Sequence, residues 1–180
     1  MSRLGGIVAS IIAAMALAVT VVLVGDGTPA PRMEEDLEWT LRLREADEAL
    51  AAGRPQLASA QLRAAHRAAL RTSRWAAMVE VGDAARRAAN AAAPLPGGVP
   101  TASRAYLAAL VLAREQRSVD GVLRAGEGFA ALGDREMVEY CIGVAGGFAQ
   151  GAGADAAARV ETFAERYREP QAAGLEGLRE

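Results

Sequence analysis

His66 and Cys141 are the single histidine and the single cysteine of the chain. A metal site needs several ligands at defined spacing, and a reactive thiol needs a base or a positive field beside it. His66 stands between Arg63 and Arg67 with no ligand cluster around it. It reads as a solvated or partly buried side chain. Cys141 falls on the apolar side of its segment and reads as a small buried hydrophobe. With one cysteine, no internal disulfide can form. Glu34, Glu35, Asp36 and Glu38 open a helix, where an acid gains about 0.3–1 kcal/mol from the helix dipole. Paired-carboxylate catalysis would need an isolated, apolar cleft instead of a solvated run. Every basic residue is an arginine. That excludes lysine-dependent chemistry such as Schiff bases and P-loop phosphate binding. The residues therefore predict no catalytic, cofactor-binding or metal site.

The remaining chemistry is electrostatic. From Ala49 to Val79 the chain carries arginines and no acid, and Arg63, Arg67, Arg71 and Arg74 form a stripe at near-helical spacing. The segment before it carries Glu45, Asp47 and Glu48 as well as the opening acids. Two readings follow. Either the acidic helix pairs with the basic one across a hairpin, or the stripe meets an anionic partner or lipid headgroups near a membrane.

Composition says what must hold these residues. Of 180 residues, 52% are apolar but only 4% are aromatic, and alanine dominates. Alanine favours helix and buries little area per residue. This predicts an all-α chain of thin, closely packed helices. A formal net charge of −2 is too near zero to make nucleic acid the main partner.

No charged residue lies between Arg3 and Asp26. Residues 4–25 are rich in Ile, Val, Leu and Ala, and a spanning helix needs about 20 such residues. A signal-peptide core is shorter, at about 7–15 residues. Of the possible cleavage sites, Thr28-Pro29-Ala30 is followed by Pro31, and Gly25-Asp26-Gly27 is the better one. The reading is an uncleaved single-pass transmembrane anchor, with secretion after signal cleavage as the alternative. Arg3 and the α-amine bias residues 1–3 to the cytoplasmic side. The rest of the chain is then extracytoplasmic, on the periplasmic side.

After a spacer at 26–31, a helical-hairpin domain is expected over 32–169. Its helices are predicted at about 32–52, 55–71 and 74–92. A loop follows at 93–100, Ala-Pro-Leu-Pro-Gly-Gly-Val-Pro, where prolines and glycines forbid helix. A fourth helix, capped by Thr101 or Ser103, is apolar all round from Ala105 to Ala113 and should be central and buried. The fifth runs over about 118–132, the sixth is capped by Asp134, and the seventh by Asp155. Ser73 is expected to cap the third. The second should face inward through Leu57, Ala60, Ala64 and Ala68. Residues 170–180 form a tail with little to bury. Interior glycine costs about 1 kcal/mol relative to alanine. Gly143, Gly146 and Gly147 therefore imply a close backbone contact, with a neighbouring helix or with a bound partner.

Residues 46–65, around Gly53, align without gaps with residues 126–145, around Gly133. The later stretch reads Val122-x2-Ala125-Gly126-x2-Phe129, then Val138-x3-Ile142-x2-Ala145; the earlier keeps Ala46, then Ala58-x3-Leu62-x2-Ala65. This resembles the tetratricopeptide repeat family, a helix-turn-helix unit of about 34 residues. Arg42 and Glu45 depart from its pattern, standing where that family has apolar residues. The resemblance implies an α-solenoid of antiparallel hairpins that binds a peptide or partner protein in a groove. The expected function is a membrane-anchored interaction scaffold or accessory factor of a cell-envelope complex. The alternative is a permanent structural subunit of a larger membrane complex. An enzyme is the remote third reading, since no catalytic arrangement is present in the sequence.

Overall fold

The computed structural model describes residues 30–91 and 101–168, with side chains from 37 onward within them and up to 167. The anchor expected over 4–25, the N-terminus at 1–3, the loop at 93–100 and the tail at 170–180 lie outside the described residues. So does the spacer as far as residue 29. No helix among the described residues is long and apolar enough to cross a membrane. The chain divides into a unit at Met1–Glu34 and a larger unit at Glu35–Glu180. The helices described below lie in the second, apart from the first five residues of α1, Ala30–Glu34.

The described residues form seven helices: α1 (Ala30–Ala51), α2 (Pro55–Thr72), α3 (Trp75–Asn90), α4 (Ala102–Glu115), α5 (Val119–Ala131), α6 (Arg135–Ala149) and α7 (Ala154–Arg168). α1 begins at Ala30, two residues earlier than expected, because a proline such as Pro31 is tolerated in a first helical turn. Gly53 and Gly133 lie at equivalent points of the internal repeat. Both take left-handed backbone, at φ 65° and 76°. Both hairpins close with the same bond across the turn: Arg54 N–H donates to Ala49 O at 2.8 Å, and Asp134 N–H to Phe129 O at 3.0 Å. Glycine enters this region without a Cβ clash, which is why the helix stops there.

The helix starts follow the side chains available. Thr101 accepts from Arg104 N–H, Ser118 from Gly121 N–H and Asp134 from Met137 N–H. Two expected caps differ. Ser73 takes left-handed backbone at φ 51° and closes α2, its N–H donating to Leu70 O; Arg74 precedes α3 without a side-chain cap. α7 starts at Ala154, so Asp155 sits inside its first turn, where a carboxylate still favours the dipole.

Each helix from α2 onward packs on the next, and α3 also meets α5, and α5 meets α7. An ion pair joins α1 to α3, Arg87 to Asp47 at 2.8 Å. The odd-numbered helices thus form one layer and the even-numbered ones the other. α2 is rotated from expectation. Its buried side chains are Ala58, Ser59, Leu62, Ala65, Ala68 and Ala69, while Leu57 is 39% exposed. Alanine on every side leaves the helical period weakly marked; of the three leucines only Leu62 is buried, while Leu57 and Leu70 face out. Ala58, Leu62 and Ala65 match Val138, Ile142 and Ala145 of α6, and all six are buried.

α4 occupies the middle of the stack, with Ala105, Tyr106, Ala109, Leu110 and Ala113 buried. It is not covered all round, because Leu107 and Val111 remain exposed one turn apart. The close helix contacts fall at other glycines than expected. A Cβ on Gly82 or on Gly128 would stand 2.4 or 2.5 Å from the Tyr106 ring. One on Gly126 would stand 2.8 Å from Phe163. Gly143, Gly146 and Gly147 meet nothing within 4 Å. The neighbouring-helix contact expected for them is absent among the described residues.

Candidate functional site

The arginine stripe lies on α2 beside α1. Arg71 pairs with Glu38 at 2.6 Å, so the cross-hairpin reading holds for that residue. Arg74 is also engaged. Arg63 and Arg67 make no ion pair among the described residues. Arg42, at a position where the resembled family is apolar, pairs with Glu45 at 3.0 Å and reaches Gln61 of α2 at 3.4 Å. It serves as a polar seam between the two helices. His66 is half-buried, and burial, then the charge of Arg67, holds its pKa below the ordinary value.

A second set of charges joins the odd-numbered helices. Asp47 of α1 meets Arg87 of α3. Asp83 of α3 lies 3.9 Å from Arg124 of α5, which also pairs with Glu127. Glu127 reaches Arg166 of α7 at 3.8 Å, and Asp120 reaches Arg159 at 3.5 Å. Exposed pairs of this kind contribute about 0–1 kcal/mol each. Their regular recurrence sets the register of one helix on the next more than the stability. Glu80 has its pKa raised by burial and by Asp83.

The Tyr106 hydroxyl donates to Asp83 Oδ1 at 2.7 Å. Burial, then this bond, pushes its pKa up to about 12. Its ring meets Phe129 edge-on, with centroids 5.9 Å apart. Cys141 is fully buried against Gly126, and burial pushes its thiol up to about 12. A thiol so placed stays protonated and inert at neutral pH. Among the described residues, no group of three or more His, Cys, Asp or Glu side chains could hold a metal ion.

An open groove of about 880 Å³ lies between α6 and α7. Gly143, Gly146 and Gly147 line its α6 side, and Ala157, Val160 and Ala164 its α7 side. Glu161 and Glu165, one turn apart, stand on its lip. They make no ion pair among the described residues. The arginines of α7, by contrast, reach back to α5. The groove can receive an apolar, closely approaching segment and offers two carboxylates to a cation beside it. The three glycines were visible in the sequence as costly in a helix. Which wall they belong to depends on α7, whose position no local pattern reveals.

No family model matches the chain. No curated protein and no solved structure matches it either.

Proposed function

We propose that this chain is a membrane-anchored interaction scaffold, an accessory factor that receives a helical or extended segment of a partner protein in the α6–α7 groove. The groove is the observation that carries the reading. Its glycines forgo about 1 kcal/mol each of helix propensity, and no neighbour among the described residues uses the space they leave. The uncharged run at 4–25 supports an anchor of spanning length, with the helical domain on the extracytoplasmic side. The resemblance to tetratricopeptide repeats supports partner binding. Affinity capture from detergent-solubilised membranes tests it. Wild-type chain should retain a stoichiometric protein set, and a Gly147→Trp chain, its groove filled, should lose it. A set indifferent to the filled groove would sink the proposal.

A second reading is a permanent structural subunit. It is favoured by the outward-facing Leu37, Leu41, Leu107 and Val111, which are 42–56% exposed. The two readings separate on residues 32–169 expressed alone. A scaffold domain should stay soluble and melt cooperatively, whereas a subunit torn from its complex should aggregate.

A further inference from the structure

The groove is matched by a surface at the other end of the stack. α7 is the one described helix without a hairpin partner, since α1 and α2, α3 and α4, and α5 and α6 follow one another as pairs. The groove beside it has an apolar floor and two carboxylates, Glu161 and Glu165, four residues apart. On a helix, four residues advance about 6 Å. α2 carries Ala60 and Arg67 exposed and Arg63 and Ala64 partly exposed on one side, its two arginines also four residues apart. Neither arginine has an ion-pair partner among the described residues. Small residues on both surfaces let helix axes come to the close end of the usual 8–10 Å range. The two arginines then fall opposite the two glutamates in matching register.

We infer that the occupant of the α6–α7 groove is α2 of a second copy of this chain, held by Arg63 and Arg67 against Glu161 and Glu165. The assignment deepens the scaffold reading and rests on it. The two contact surfaces differ, so the contact is heterologous: a pair of copies keeps a free groove at one end and a free α2 at the other. Such a contact propagates as an open row instead of closing as a dimer. Anchoring in one bilayer would confine the copies and raise their effective concentration.

Sedimentation velocity of the full chain in mild detergent at low ionic strength, over a wide range of protein concentration, tests this. Wild-type chain should grow in mass with concentration, and added salt should reverse the growth. Glu161→Gln/Glu165→Gln and Arg63→Gln/Arg67→Gln chains should each stay monomeric. Mixed in equal amounts, they should form a dimer and nothing larger, because one intact groove and one intact α2 remain. Helix content by circular dichroism should match wild type in both variants. A wild-type chain that stays monomeric overturns the proposal, whether its groove is left open or is filled by its own residues 170–180. So do variants that still assemble, and so does a mixture that does not. A chain that remains monomeric yet captures a partner set through the groove would leave the scaffold reading standing and remove only this one.

Discussion

Tyr106 of α4 donates its hydroxyl proton to Asp83 of α3, across 2.7 Å, from a ring that is wholly buried. The pair joins α3 to α4, whose ends at Asn90 and Ala102 stand further apart in sequence than those of any other two successive described helices. It also makes the phenol resist ionisation. Tyr106→Phe keeps the ring and loses the bond, and should cost about 1–2 kcal/mol in urea unfolding. The alkaline limb has a definite sign. The folded pKa of about 12 lies above the ordinary 10, so the folded state favours the neutral phenol. That contribution is complete below pH 10 and is lost as pH rises toward 12. Spectrophotometric titration should show a phenolate band near pH 12 that Tyr106→Phe lacks.

The glycines should divide into two classes on substitution. Gly82→Ala and Gly128→Ala would press a methyl group into the Tyr106 ring from either side. Overpacking of this kind costs about 1–3 kcal/mol. Gly143→Ala and Gly146→Ala meet open space and should gain helix propensity, up to about 1 kcal/mol each. Thermal melts of the four single variants check the opposed signs.

His66 gives the domain an acid-sensitive element. Its folded pKa is below the ordinary 6.5 because of burial and Arg67. The folded state therefore prefers the neutral ring. The stability this contributes is complete above pH 6.5 and falls away as pH drops through the folded value. As the only histidine, its ring proton can be followed by NMR without assignment. His66→Gln should remove its share of the pH dependence of urea unfolding.

Cys141 should be unreactive until the domain opens. A disulfide reagent at neutral pH should label it far more slowly than a free thiol, because the thiolate is disfavoured by burial. Its labelling rate should rise with urea in step with global unfolding. Fast labelling of the native chain would show that α6 leaves α5 easily.

The helices and most of their ends could be read from the sequence, because those signals are local. Gly53, Gly133, Thr101 and Asp134 act through their own backbone or the next turn. Facing was harder. In α2 the period carried by Leu57, Ala60, Ala64 and Ala68 pointed to the wrong side, because alanine marks no side strongly. The repeat register through Ala58, Leu62 and Ala65 pointed to the right one, since it compares two hairpins that bury the same positions. Leu107 and Val111 looked buried because apolar type alone does not say how many neighbours a helix has. The Tyr106–Asp83 bond, the charge pairs along the odd helices and the α6–α7 groove all join residues distant in sequence. None has a local signature.

The Tyr106 ring has a consequence for how the stack comes apart. Arrays of helical hairpins bind mainly through nearest neighbours and can unzip from either end, one unit at a time. Here a single side chain from α4 is seated against backbone of both α3 and α5, so three consecutive helices share one fastening. Fraying that starts at α1 or at α7 would meet this fastening and stop, until the middle yields all at once. The outer helices are then free to exchange between open and closed forms while the centre stays folded.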